Sequence, residues 1–141
     1  MNDFTLDPRL SQDCFVVGKL RISLLLLMKN SLVPWFILVP RRTATELYEL
    51  ELDDQAALLE EINLVSRFLK EFFKVEKLNV AAIGNIVRQL HVHVIGRNTS
   101  DFCWPNVVWG TKESRPYTDE QITAIRAAAD AMILPPSRPQ D

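Results

Sequence analysis

The chain has 141 residues, 48% hydrophobic and 24% charged, the balance of one ordinary globular domain and not of a fibrous or disordered chain. A formal net charge of -2 with a pI near 5.7 excludes the broad basic footprint of a nucleic-acid binder, so any recognition of phosphate has to be local. Cys14 and Cys103 stand far apart with no C-x-x-C spacing, which excludes a disulfide scaffold and a zinc knuckle.

The opening residues 1–8 carry Asp3 and Pro8 where a signal peptide needs a basic start and an apolar run. The most apolar run, residues 24–28, falls far short of the roughly 18 residues of a membrane span, and a cytoplasmic protein is expected. Residues 3–13 read as an irregular lead-in, because Pro8 interrupts any regular element. Phe15-Val16-Val17, a turn at Gly18-Lys19 and residues 20–28 read as two strands, the second buried. Lys29-Asn30-Ser31 signals a turn, and Pro34 opens a strand over residues 35–39 that Pro40-Arg41-Arg42 closes. Arg41 and Arg42 read as solvated turn charges.

Thr43-Ala44-Thr45-Glu46 has the form of a capping box and predicts a short helix through about Leu50. Behind it, Leu58, Ile62, Val65, Leu69 and Phe72 recur at helical steps, with Glu60, Glu61, Arg67, Lys70, Glu71 and Lys74 largely between them. This predicts a long amphipathic helix over about residues 54–74 whose charges form a solvated face. Residues 78–83 read as a strand, Gly84-Asn85 as a turn, and residues 87–95 as the second arm of an antiparallel hairpin. Residues 96–101 read as a loop, and the aromatic stretch with Trp104-Pro105 and Trp109 as irregular. Thr118 to Gln121 is a second capping box before a last helix with Ile122, Ile125, Ala129 and Met132 on one side. A single domain over residues 1–134 is expected, with a disordered proline-rich tail over 135–141.

The chain's two histidines lie two apart in the stretch Gln89-Leu90-His91-Val92-His93-Val94-Ile95. In a strand, Gln89, His91 and His93 share one face while Leu90, Val92 and Val94 share the other. A buried row of polar side chains costs free energy unless it is paired or faces a ligand. On spacing alone the pair could equally be two half-exposed residues of an edge strand. As a metal site it lacks a third ligand, since Cys103, Asp101 and Glu113 stand at no motif spacing. As a phosphate site, donors from Gln89 and His93 would flank His91 beside the Gly84-Asn85 turn. A neutral imidazole needs no base to become a nucleophile. It needs one bare ring nitrogen, which a bond from the other N–H to a backbone carbonyl would ensure.

This pattern, with Gly84-Asn85 before it, Arg97 after it, Val39-Pro40-Arg41 upstream and Trp104-Pro105 downstream, resembles the histidine triad (HIT) superfamily, whose motif is His-φ-His-φ-His-φ-φ with φ apolar. The similarity runs over about residues 20–109 and is to small bacterial diadenosine tetraphosphate hydrolase-like proteins. The resemblance implies an α+β HIT-like fold, an antiparallel sheet of about five strands with one long helix and a C-terminal helix, in a homodimer. It implies cleavage at the α-phosphate of a purine nucleotide conjugate, a dinucleoside polyphosphate or a nucleoside phosphoramidate, through a nucleotidyl-histidine intermediate. No cofactor, metal, nucleic acid or membrane enters.

By the same resemblance His91 matches the nucleophile, His93 a phosphate and leaving-group contact, Asn85 a phosphate-binding amide and Asn30 the ribose contact. Two departures bear on the chemistry. Gln89 replaces the first histidine of the triad, removing a titratable group but keeping the backbone carbonyl, and Ile86 stands where a serine or threonine is common. Both weaken proton delivery to a leaving group, so a slow hydrolase is expected, with a nucleotide-binding protein of little turnover as the alternative. For Trp104 and Trp109 the choice is between core packing and a cap on the partner subunit's pocket.

Overall fold

The computed structural model describes residues 4–135, so residues 136–141 of the expected disordered tail lie outside it. The elements run α1 (Pro8–Asp13), β1 (Cys14–Lys19), β2 (Ser23–Met28), β3 (Trp35–Pro40), α2 (Leu52–Phe72), β4 (Lys77–Ala81), β5 (Val92–Arg97) and α3 (Asp119–Met132). One antiparallel sheet has the strand order β1-β2-β3-β5-β4, which makes β3 its centre. Every residue of β3 is buried, as its unbroken apolar run requires of a strand covered on both faces. This is the α+β architecture expected, with one long helix and a C-terminal helix.

Strand alternation sorts the core into two layers. Leu25, Leu27, Phe36, Leu38, Val92 and Val94 face α2 and α3, where they meet Leu58, Val65, Phe68, Leu69, Ile125 and Ala129. Leu26, Trp35, Ile37, Val39 and Ile95 point the other way. Among the described residues no long helix covers that second face. Instead Leu10 of α1, the lead-in residues Phe4 and Leu6, and Val108 with Trp109 of the late loop pack on it.

Several local expectations are corrected, each for an identifiable reason. Pro8 begins a helix and does not break one: it stands at the first turn, where its missing N–H is not needed, and Asp7 Oδ1 caps the Arg9 N–H at 2.8 Å. The β1–β2 turn falls at residues 20–22, because Gly18 is used for a bulge in β1 whose close neighbour is Leu134. The first capping box is displaced by three residues: Glu46 caps a single 3-10 turn at Leu47–Glu49, with Thr45 Oγ1 bonded to Glu49 Oε1 at 2.9 Å.

Helix α2 starts at Leu52 and ends before Lys74, whose φ of 58° lies in the left-handed region. One of its charges is not solvated. Glu61 is buried, and its Oε2 accepts the Ile22 N–H at 3.0 Å, holding the β1–β2 turn onto the helix. Arg42 pairs with Asp54 of α2 through two bonds of 2.7 and 3.0 Å, and Arg41 Nη2 donates to the carbonyls of Leu20 and Arg21.

The hairpin of β4 and β5 is antiparallel as expected, pairing Ala81 with His93 and Lys77 with Arg97. Its arms are shorter on the turn side, and residues 82–91 form an irregular connection. Here the Leu90 N–H bonds the Ala44 carbonyl at 3.2 Å and not a neighbouring strand. At the other end Gly96 and Arg97, predicted to be loop, continue β5. The box before α3 is as predicted, with Thr118 Oγ1 accepting the Gln121 N–H and Gln121 Oε1 accepting the Thr118 N–H. On α3, Ile125 and Ala129 are buried but Met132 is largely exposed, and Ile133 takes its place in the core.

Candidate active site

His91 ends the irregular connection and His93 is the second residue of β5, both buried, with ring centroids 5.0 Å apart. Leu90, Val92 and Val94 lie in the layer facing α2, so the alternation continues across the start of the strand. The two imidazoles therefore share the opposite face, the one without a long helix.

Their ring nitrogens are distinguishable from their partners. His91 Nδ1 is 2.7 Å from the Gln89 carbonyl oxygen, which can only accept, so Nδ1 carries the proton and Nε2 is left bare. For His93 the order is reversed. Trp35 Nε1–H donates to His93 Nδ1 at 2.9 Å, which puts that ring's proton on Nε2. A second proton on Nδ1 would face the indole N–H. Burial above all, with the His91 ring beside it, pulls His93 down to about 4. With both rings neutral the pair offers one lone pair on His91 and one N–H donor on His93.

A recess of about 610 Å³ opens over this pair, walled by Leu10 and Asp13 of α1, Trp35 and Ile37 of β3, and Trp109. Trp109 stands edge-on to both His93 and Trp35, with centroids at 5.3 and 6.0 Å. On the far side of residues 82–91 lies a second, more polar cleft of about 750 Å³, which takes in Thr45, Tyr48 and Arg88. His91 and Asn85 line both spaces. Asn85 is exposed on the connection.

Two other expected site residues have their amides engaged within the protein. Asn30 lines the recess, but its Oδ1 accepts the N–H groups of Leu32 and Arg115, both at 3.2 Å, and its Nδ2 donates to the Glu113 carbonyl at 3.3 Å. It pins the segment after Trp109 to the β2–β3 turn. Gln89 is turned toward the lead-in: its Oε1 accepts the Asp7 N–H at 2.9 Å and its Nε2 donates to the Thr5 carbonyl at 2.8 Å. The residue that contacts His91 is its main chain, not its side chain.

The sequence marked Arg97 only as a flank of the histidine stretch, and gave no sign of a role for Trp35 or of α1. An indole in a wholly apolar strand was the available signal for Trp35, since a buried N–H needs an acceptor. Arg97 is 1% exposed and makes a bidentate pair with Asp101 at 2.7 and 3.0 Å, further bonds to Asn79 Oδ1 and the Asn106 carbonyl, and a contact with the Trp104 ring. Burial pushes the Asp101 carboxyl up, but bonds from Arg97 and from the N–H groups of Asn98 and Cys103 outweigh it and hold the group below its usual range. This network fixes the loop that ends in Val108 and Trp109. Trp104 is therefore packed on Arg97 and Trp109 on His93, within the same chain. Among the described residues no group of three or more His, Cys, Asp or Glu is placed to hold a metal ion. Nor is any of their helices long and apolar enough to cross a membrane.

An antiparallel five-stranded sheet, with two histidines of opposite tautomer on its open face, defines the class of fold and site. The HIT domain family model matches residues 9–100, and the chain belongs to this family. A histidine triad protein from Sinorhizobium meliloti is 43% identical, with a TM-score of 0.90 over 94% of this chain and 99% of that one. One from Bradyrhizobium japonicum is 42% identical, with a TM-score of 0.89 over 92% and 98%. A histidine triad protein from Marinobacter aquaeolei is 41% identical, with a TM-score of 0.88 over 92% and 96%. No curated protein matches the chain.

Proposed function

We propose that the protein is a nucleotidyl hydrolase or transferase that cleaves at the α-phosphate of a purine nucleotide conjugate, a dinucleoside polyphosphate or a nucleoside phosphoramidate. The observation that carries this reading is the 2.7 Å bond between His91 Nδ1 and the Gln89 carbonyl, which leaves Nε2 free of that bond in a residue that lines the recess. In the proposed first step Nε2 attacks the α-phosphorus, an N–P bond forms and the bond to the leaving group breaks, the leaving group taking the electron pair and a proton from solvent water. The Nε2–H of His93 and the amide of Asn85 hold non-bridging oxygens as charge builds on them. Water then cleaves the N–P bond and frees the nucleoside monophosphate, completing two easier displacements in place of one hard one. The apolar recess fits a base, and the polar cleft on the other side of His91 fits a departing group.

The working form is proposed to be a cytoplasmic homodimer. Acid quenching of the protein with diadenosine tetraphosphate or adenosine 5′-phosphoramidate is expected to trap a nucleotide-sized mass adduct on His91. His91→Ala is expected to lose activity by on the order of 10³-fold or more. Equal turnover by wild type and His91→Ala across the panel would overturn the mechanism.

One observation favours a second reading, a nucleotide-binding protein with little turnover. The position of the first triad histidine has no titratable group, and its amide is engaged elsewhere. Tight calorimetric binding of adenosine 5′-monophosphate, with no product from any substrate in the panel, would select this reading.

A further inference from the structure

Gln89 joins the two halves of the recess. Through its main chain it holds His91 by the Nδ1 bond at 2.7 Å. Through its side chain it holds the lead-in at two points, the Thr5 carbonyl at 2.8 Å and the Asp7 N–H at 2.9 Å. These two backbone groups lie on one edge of an extended segment, and a primary amide presents a donor and an acceptor side by side to match them. Immediately after this clasp Asp7 caps α1, whose Leu10, Gln12 and Asp13 line the recess opposite the histidines. Arg9 Nη1 adds a second tie to the connection, donating to the Ile86 carbonyl at 2.9 Å.

We propose that Gln89 is a positioning residue whose side chain clasps the lead-in and so sets α1 as a wall of the recess at a fixed distance from His91. On this view the first position of the motif does structural work in this chain and takes no part in proton transfer. An imidazole cannot replace the amide. Its two nitrogens point in diverging directions, so it cannot give a donor and an acceptor to one backbone edge. The consequence is that Gln89→His, which restores the family's three-histidine pattern, loosens α1 and weakens substrate binding instead of raising the rate. The catalytic part of this inference rests on the nucleotide reading of the recess, while the clasp itself does not.

The test compares Gln89→Ala, Gln89→His and Asp7→Pro with wild type. Asp7 has a φ of -54°, which proline accepts, so Asp7→Pro deletes the clasped N–H; Asp7→Ala, which loses the helix cap and the ion pair with Arg9 but keeps the N–H, is its control. Amide hydrogen exchange over residues 4–13 is read without any ligand, and adenosine 5′-monophosphate binding and steady-state kinetics are read alongside. Both Gln89 variants are expected to speed exchange over that segment by about tenfold or more, the effect of losing two hydrogen bonds. They are expected to raise Kd and KM by about tenfold while kcat stays within about threefold and its pH profile is unmoved. Gln89→Ala is expected to add less to Asp7→Pro than it does to wild type, since one of its two bonds, that to the Asp7 N–H, is already gone.

A Gln89→His protein with a higher kcat or a new ionisation in its pH profile would overturn the proposal. So would unchanged exchange in Gln89→Ala, with nucleotide binding by the wild type intact. If the wild type neither binds nor turns over nucleotide, yet the Gln89 variants speed exchange, the proposed function fails and the clasp stands.

Discussion

His93 is held in one protonation state by its neighbours, and this couples the site to the stability of the whole protein. Its Nδ1 accepts from Trp35, and its pKa falls from 6.5 to about 4 on folding. Above pH 6.5 neither state binds a proton there, and the neutral ring contributes in full. As pH falls from 6.5 toward 4 the unfolded chain gains a proton that the folded protein refuses, so stability declines across that window and levels off below it. The full loss is about 3 kcal/mol by the linkage between pKa and free energy. Urea denaturation at intervals between pH 7 and 4 is expected to show this slope, and His93→Gln, whose amide oxygen can still accept from Trp35, to flatten it. An identical slope in the variant would place the titration on another group.

At the scale of elements, β5 is placed by what cannot be added to it as much as by its hydrogen bonds. Gly96 bonds the Pro34 carbonyl at 2.9 Å, and a Cβ there would lie 2.4 Å from Val75 Cγ1 and 2.9 Å from Pro34 Cγ. Gly96→Ala is therefore expected to cost about 1–3 kcal/mol in chemical denaturation, the usual range for overpacking. Pairing it with Val75→Ala is expected to return part of that loss, and strict additivity of the two would mean that they do not meet. The same residue shows the limit of local reading. Gly96 and Arg97 look like loop residues in sequence, because glycine weakens a strand and arginine is seldom buried. Asp101 four residues on, Asn106 nine on and Asn79 across the hairpin together make Arg97 a satisfied interior residue, a set that no spacing rule marks in sequence. What depended on period or on neighbouring residues was legible: the buried central strand, the long helix, the Thr118 cap and the shared face of His91 and His93. What depended on partners some 80 residues away was not, the side chain of Gln89 above all.

At the scale of the whole molecule, exposed apolar residues motivate the proposal of a second copy. Strand β4 closes the sheet as an edge, with unpaired backbone groups on its outer side and Val80 47% exposed. Helix α2, packed over the neighbouring β5, carries Leu52 and Leu59 at 80% and 58% exposure, two helical turns apart on one stripe, and Tyr48 before it is 82% exposed. Single exposed leucines are ordinary, but an open edge strand and an exposed apolar helix stripe are each surfaces of the kind two-fold dimers bury. Sedimentation at micromolar concentration is expected to give a dimer. Leu52→Glu with Leu59→Glu is expected to give a monomer with an unchanged far-ultraviolet spectrum, because neither leucine contributes to the core that holds α2 on the sheet. The 3-10 turn that carries Tyr48 also borders the polar cleft beside His91, so separation of the copies is expected to reach the site. A monomeric variant with wild-type turnover would confine dimerisation to a structural role. A wild type that is monomeric at every concentration would remove the second copy from the mechanism.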